Sequence, residues 1–289
     1  MQESCVLFYG TLQHPGLAIL YETLLNRQRR PVAFFTQEQF FSECSLYLGP
    51  DPGTSLVYLP DGGVLPFSTV SAVCMDHFFV PPESLEGFSE QDRGYIQLEE
   101  WATLIAMFDQ LSDTALMANF FRRPDTWGTR WSTMRTVSAA GLPVPEMLVT
   151  SDPEAARDFH RHHQGRIIYR QVGDPGSHFT AMEEDQLELL ERLPLAPIHF
   201  EAEPWPGAGA LCVVGEEGLF VGEAEPPAQL QEACLDLARS LELNLGEFNL
   251  RRGHDGQWQV GSLQSFPSLA ALSHETVRSA VAELLEGKP

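Results

Sequence analysis

The sequence predicts an α/β domain joined to an α+β part, arranged as two or three lobes. Three observations lead there. Short apolar or β-branched runs alternate with helical spacings in the first third. Two strand pairs separated by glycine-containing turns occupy the last third. The chain, at 289 residues, is also longer than a single small core needs.

In order, Val6–Tyr9, Val32–Phe35, Ser55–Leu59 and Ser71–Met75 read as strands. Leu17–Asn26 reads as a helix through Leu17, Leu20, Tyr21, Leu24 and Leu25. Val80–Arg93 is polar, contains proline and reads as a surface loop. Ile96–Leu111 then sets Leu98, Trp101, Leu104, Ile105, Phe108 and Leu111 on one face of a long amphipathic helix. In the middle, Ser132–Ala140 is helical and Gly141 stops it, and Pro145–Thr150 is extended. Asp152 caps the next helix with Pro153 at its first position. That helix ends near His163 and Gly165. Arg166–Val172 follows as a strand, Glu183–Arg192 as a helix and Ile198–Ala202 as a strand. In the last third, Ala210–Val214 and Leu219–Glu223 flank Gly215-Glu216-Glu217-Gly218, and Gly246–Arg251 and Gln257–Leu263 flank Asp255-Gly256, a preferred two-residue turn. Helices at Ala228–Leu241 and His274–Leu285 are expected to cover these hairpins. There is no internal repeat and no low-complexity tract.

Composition narrows the function classes. A net charge of −22 repels a phosphate backbone, so nucleic acid is excluded as a partner; a basic peptide or protein partner fits it. No apolar run approaches the roughly 18 residues that span a membrane. The N-terminus lacks a basic region followed by an apolar stretch, so the expected location is the cytoplasm. The five cysteines, Cys5, Cys44, Cys74, Cys212 and Cys234, are scattered without a C-x-x-C pair, which argues against a disulfide framework or structural zinc. Of 18 basic residues only Lys288 is a lysine, so any mechanism needing a lysine in the body of the fold is excluded. His160, His162 and His163 fall in the last turn of a helix, where imidazolium suits the dipole, and no acidic partner is evident nearby in sequence; no metal is assigned to them. Phe8-Tyr9-Gly10-Thr11-Leu12 resembles the opening of the γ-glutamylcyclotransferases, but a first strand turning at glycine explains it as well.

From Ala139-Ala140-Gly141-Leu142-Pro143-Val144-Pro145-Glu146-Met147-Leu148-Val149-Thr150-Ser151-Asp152-Pro153 onward, the chain resembles the ATP-grasp carboxylate–amine ligases. The nearest relatives by this resemblance are the ribosomal-protein glutamate ligases and the ligases that close rings in microviridin-type peptides (graspetides). Arg166–Val172 resembles the strand that carries an ATP-binding lysine, and Ala196–Glu203 resembles the adenine hinge. Phe248-Asn249-Leu250 and Trp258–Pro267 resemble the two strands that carry the metal ligands. The resemblance implies an N-terminal α/β pre-ATP-grasp domain over 1–112, a first ATP-grasp lobe over 113–198 and a second over 199–289, the two α+β lobes lying around a cleft.

It also implies site positions, where this chain departs from the family. Nucleotide contacts map to Arg130, Arg170, Glu201 and Glu203, the two arginines standing where the family has lysines. The metal positions read Asn249, Ser262 and Gln264, although the chain has 40 acidic residues to draw on. Glu247 is a candidate substitute ligand, weighed against a solvated strand glutamate. Arg251 is a candidate stand-in for the missing ion, weighed against a surface ion pair. A family arginine that contacts the reacting acyl phosphate maps to Ala210. A two-residue Asp255-Gly256 turn makes paired positions sum to 511, so Asn249 faces Ser262 and Glu247 faces Gln264. The reading is a non-catalytic ATP-grasp-like protein that binds a peptide, nucleotide or partner, with no cofactor or catalytic residue assigned. The alternative is an active carboxylate–amine ligase using magnesium and ATP, with displaced metal ligands.

Overall fold

The computed structural model describes residues 4–75, 85, 87–118, 130–171, 180–182, 186, 197–203, 205–253 and 255–287, with backbone alone at 37, 38, 171 and 205–208. Two compact units divide the chain. The first holds residues 1–120, 243–245 and 266–289; the second holds 121–242 and 246–265.

The first unit opens with β1 (Cys5–Gly10), α1 (Pro15–Arg27), β2 (Val32–Thr36) and α2 (Gln37–Ser42). It continues with β3 (Ser45–Tyr47), β4 (Leu56–Tyr58), β5 (Val64–Pro66), β6 (Val70–Met75), α3 (Glu90–Ser112) and β7 (Leu116–Met117). Strands β2-β1-β6-β7 form a parallel sheet. Every residue of β1 is buried, as expected for a central parallel strand covered on both faces. The run Ser55–Leu59 does not join it; β4 lies between β3 and β5 in a separate antiparallel sheet. Tyr9 holds the core together with edge-on contacts to Phe40 and Phe108 at 5.7 and 5.5 Å.

Ser89 caps α3 by accepting from the Asp92 amide, so the helix starts six residues before the predicted Ile96. The expected loop Val80–Arg93 therefore ends in helix, while 80–84 and 86 lie outside the described residues. The single apolar face predicted for α3 divides in two: Leu104, Met107, Phe108 and Leu111 are buried, whereas Leu98, Trp101 and Ile105 face solvent.

The second unit contains α4 (Arg130–Ala139), β8 (Met147–Thr150), α5 (Pro153–His162), β9 (Ile167–Gln171), β10 (Thr180–Ala181), β11 (Ile198–Ala202), β12 (Trp205–Val214), β13 (Glu217–Gly222), α6 (Ala228–Ser240), β14 (Leu245–Arg252) and β15 (Trp258–Gln264). Asp152 caps α5 by accepting from the Glu154 amide, with Pro153 at the first helical position, as the sequence predicts. The expected helix Glu183–Arg192 lies outside the described residues, except for 186, which is 3-10 helical. Strands β10-β9-β11-β8 make one sheet and β13-β12-β14-β15 another.

The chain then returns to the first unit with α7 (Leu269–Leu272) and α8 (Glu275–Leu285). The sequence predicts that the last helix covers a hairpin. Instead α8 packs against α1 and β6, where the buried Glu286 carboxylate takes Arg27 and Arg29 at 3.3 and 3.2 Å. Its buried residues Val277, Val281, Ala282 and Leu285 suit either surface, so periodicity alone cannot choose between them.

The two hairpins exchange the turns expected of them. Val214 pairs with Glu217, so the tight two-residue turn is Gly215-Glu216, with Gly215 at φ 62°. In the other hairpin, Arg252 pairs with Trp258 and the paired positions sum to 510, across a loop closed by the Gly253 amide donating to the Gln257 carbonyl. Gly261 is then an extra residue on β15, a β-bulge that advances the register by one. Beyond it the sum becomes 511, and Asn249 does face Ser262 while Glu247 faces Gln264. A longer turn and a bulge offset one another.

Candidate functional site

One face of the β10-β9-β11-β8 sheet is ionic. Successive side chains on a strand alternate sides, so Ile167, Tyr169, Ile198 and Phe200 pack with α5 on one face, and Arg170, His199 and Glu201 share the other. Arg170 and His199 are direct cross-strand neighbours. All three are buried, Glu201 completely.

Two guanidinium groups hold Glu201. Arg130, the first residue of α4, forms a fork: its Nε donates to Oε1 at 2.5 Å and a terminal nitrogen donates to Oε2 at 2.8 Å. The same terminal nitrogen donates to the Gly261 carbonyl on the bulge. Arg251 of β14 donates to Oε2 at 2.9 Å. His199 Nε2 lies 3.3 Å from Oε1, and the Trp131 ring stands edge-on to the imidazole at 6.0 Å. Burial by itself raises the Glu201 pKa. The bonds and charges of Arg130, then Arg251 and His199, more than offset this and hold it below the usual carboxylate range. Burial pushes the His199 pKa down to about 4; Glu201 opposes that shift, while Arg130 and Arg170 reinforce it. His199 is therefore neutral at pH 7.

The bulge residue makes this packing possible. A Cβ on Gly261 would lie 2.8 Å from Arg251 Cδ, 3.0 Å from its Nε and 3.1 Å from Asn249 Oδ1. Without a side chain at 261, the Arg251 stem passes over the hairpin on its way to Glu201. On the same hairpin, Glu247 is 2% exposed. Burial and then the Glu247 charge push the neighbouring Cys212 thiol up to about 12.

No family model matches this chain, and no curated protein sequence matches it. Solved structures do. The ATP-grasp ligase PsnB, complexed with precursor peptide PsnA2 and AMPPNP, superposes with a TM-score of 0.76 at 20% identity, covering 97% of each chain. The macrocyclase MdnC from Microcystis aeruginosa MRC, bound with precursor peptide MdnA, gives 0.79 at 17% identity over 97% of this chain and 99% of its own. A RiPP-associated ATP-grasp ligase from Chryseobacterium gregarium, in complex with ADP and a leader and core peptide, gives 0.75 at 15% over 98% and 96%. This chain has the ATP-grasp fold.

Within the ATP-grasp fold, the residues singled out from sequence fall into three groups. Arg130, Arg170 and Glu201 come together on the ionic face, with Glu203 just beyond the end of β11 and half-buried. Asn249 and Ser262 form their cross-strand pair, with Gln264 opposite Glu247 one step along. Ala210 lies on β12 opposite Val221. Two bland readings fail on burial: Glu247 is not solvated, and Arg251 is not in a surface ion pair. Sequence reasoning missed His199 altogether. Its one signal was a polar residue between Ile198 and Phe200, in the alternation that also marks Glu201.

Magnesium prefers oxygen ligands that include one or two carboxylates. Asn249, Ser262 and Gln264 offer neutral oxygens, and the Arg251 side chain passes close to Asn249 at the Gly261 bulge. By themselves Asn249, Ser262 and Gln264 do not fit the metal that the fold implies, although the buried Glu247 carboxylate lies on the same hairpin.

The helix-end histidines have the acidic neighbour that the sequence did not reveal. Nε2 of His162 and His163 lie 3.7 and 3.4 Å from one Glu146 oxygen, brought there from the turn before β8. His162 and Glu146 are largely exposed, at 69% and 59%, whereas His163 is mostly buried, at 12%.

Proposed function

We propose that this chain is a non-catalytic ATP-grasp protein that binds a peptide. The observation that carries the reading is the Asn249–Ser262 pair, which is neutral and lies beside the Arg251 guanidinium tied to Glu201. Phosphoryl transfer depends on cations that neutralise charge developing on the phosphate oxygens. Here the metal positions lack carboxylates, and the Ala210 position lacks its cation. Arg130, which the resemblance assigns to phosphate, is engaged in a buried fork with Glu201 that phosphate binding would have to break. The peptide class rests on the bound peptides of the PsnB, MdnC and Chryseobacterium gregarium structures. The charge of −22 favours a basic one.

Two measurements test this. Magnesium-ATP at millimolar concentration should leave the melting temperature unchanged, because a ligand that binds only the native state must raise it. Replacing Asn249→Asp, Ser262→Glu and Gln264→Asn together should create a magnesium-dependent nucleotide shift that the parent lacks. For the peptide, selection from a random library should enrich Arg- and Lys-rich sequences whose affinity falls as salt rises. A metal-dependent thermal shift in the parent protein would refute the non-catalytic half; enrichment without basic bias would refute the charge argument.

One observation favours an active ligase. Glu247 is a buried carboxylate on the same hairpin face, directly opposite Gln264. In that reading Glu247 and Asn249 would hold magnesium, and Arg130 and Arg170 would clamp phosphates of ATP. Magnesium-dependent ADP release that disappears in Glu247→Gln would establish it.

A further inference from the structure

At the C-terminal end of α5, on the other side of the sheet from the ionic group, three side chains that can ligate a metal converge. His162 is the last residue of the helix and His163 is its cap, with φ −89° and ψ 12°. Adjacent side chains within a helix do not face each other. With His163 already out of the helix, the two rings meet edge to face at 4.9 Å. Glu146 arrives from the segment before β8, and the Ala202 amide donates to its carbonyl at 3.1 Å, which ties it to the end of β11. Among the described residues, Glu146, His162 and His163 are the only group of three such side chains whose ligand atoms all lie within 4.8 Å of one another.

We infer that Glu146, His162 and His163 bind one divalent transition-metal ion of the zinc class. The donor set selects that class. Two imidazole nitrogens and one carboxylate oxygen suit zinc, cobalt, nickel and copper, whereas magnesium and calcium take oxygen ligands. The spacing fits as well. Bond lengths of about 2.0–2.2 Å in a tetrahedral site put the ligand atoms about 3.4 Å apart. The two Nε2 atoms lie 3.7 and 3.4 Å from the same Glu146 oxygen. Three protein ligands leave a fourth position for water or a small anion.

The surroundings hold the ligands in place and favour a cation. The His163 ring packs on Phe159 at 4.5 Å, and its carbonyl accepts from the Arg166 amide at 3.1 Å. Gln164 and Gly165 follow in left-handed backbone, at φ 55° and 79°, so the helix ends here. Its last carbonyls attract positive charge. Two imidazolium rings at this separation would repel each other, whereas two neutral imidazoles can share one divalent ion. Arg161, on the same turn, pairs with Asp158. His160 is not part of the group; its imidazole lies over Gly165, where a Cβ would be 3.5 Å from the ring.

The test uses the full chain without a histidine tag, stripped of metal by chelation. Cobalt should bind at one ion per chain with the visible absorption of a nitrogen–oxygen site. Zinc should displace it, and excess magnesium should not. Glu146→Gln should weaken cobalt binding at least about tenfold and His163→Ala at least about a hundredfold, the span that even loss of an outer-shell partner covers. Glu146 is largely exposed, so the Gln variant should fold as the parent does and its loss of metal reads the site alone. His160→Ala should bind cobalt as the parent does. Zinc should raise the melting temperature of the parent and not that of Glu146→Gln, as a ligand of the native state must. No cobalt bound at ligand excess, equal binding by the parent and Glu146→Gln, a loss in His160→Ala as large as in His163→Ala, or displacement by magnesium would each overturn the inference.

Discussion

One four-stranded sheet in the second unit carries two opposite kinds of packing. On one face Leu148, Ile167, Tyr169, Ile198 and Phe200 bury against α5, through Ala156 and Phe159. On the other, Arg170, His199 and Glu201 meet Arg130 and Arg251. The apolar face is cohesive at any pH, and its strength follows area. The ionic face depends on one carboxylate remaining charged between two guanidinium groups and on one imidazole remaining neutral. Burial therefore has different consequences on the two sides: it stabilises the first outright, and on the second it makes each partner depend on the others.

Predictions that remove one element at a time sharpen this contrast. Phe200→Ala should cost about 3–5 kcal/mol, because the residue is fully buried and leaves a cavity. Chemical denaturation at pH 5 and pH 7 should give the same loss. Glu201→Gln should cost a similar amount at pH 7, about 3–5 kcal/mol, by leaving two buried guanidinium groups without their carboxylate. Added salt should barely screen it, and the loss should shrink in acid. Equal pH profiles for the two variants would break the comparison.

The pH dependence has a definite sign. The His199 pKa is about 4 in the folded chain and 6.5 unfolded, so the unfolded chain binds the extra proton between those values. Stability should therefore decline as pH falls from 6.5 toward 4, by up to about 3 kcal/mol. Glu201 has a lowered folded pKa; its contribution is present above the unfolded carboxylate value and is lost as pH falls through the folded one. His199→Gln should flatten the upper part of the profile and leave the Glu201 part. An unchanged slope between pH 6.5 and 4 would rule out His199 as the cause.

Smaller effects are expected where the ionic face meets the hairpin and where the apolar face meets its helix. Gly261→Ala should cost about 1–3 kcal/mol, since the new methyl would collide with the Arg251 stem. An Arg251→Ala background should relieve most of that cost, which a double-mutant cycle would measure. Asp152→Ala should cost about 1 kcal/mol through loss of the α5 cap, with no change in the acid limb of the stability curve.

Much of the second unit was legible in the sequence. The Asp152-Pro153 start of α5, the strands β8, β9 and β11, and the Asn249–Ser262 pairing follow from local patterns. The pairing came out right although the turn was read too short, because the Gly261 bulge made up the missing residue. A bulge leaves almost no local mark: glycine in a strand is compatible with several roles. The short elements α2, β3, β5, β7 and β10 were missed for a related reason, since two to six residues carry too little periodicity to register.

The sequence by itself determined the fold class, the absence of a carboxylate at Asn249, Ser262 and Gln264, and arginine rather than lysine at positions 130 and 170. Those are matters of residue identity along the chain, and order and alternation suffice to read them. Tertiary structure alone decided that Glu201 is clasped by Arg130 and Arg251 and that His199 is buried neutral beside it. It also decided that Glu247 is dry, that α8 packs on α1, and that α3 keeps a second apolar side outward. The residues of the ionic group lie up to 121 positions apart in the chain, from 130 to 251. Burial and electrostatic coupling depend on distances between segments that no local pattern specifies, so the partners of a charge become known only once the sheets are packed.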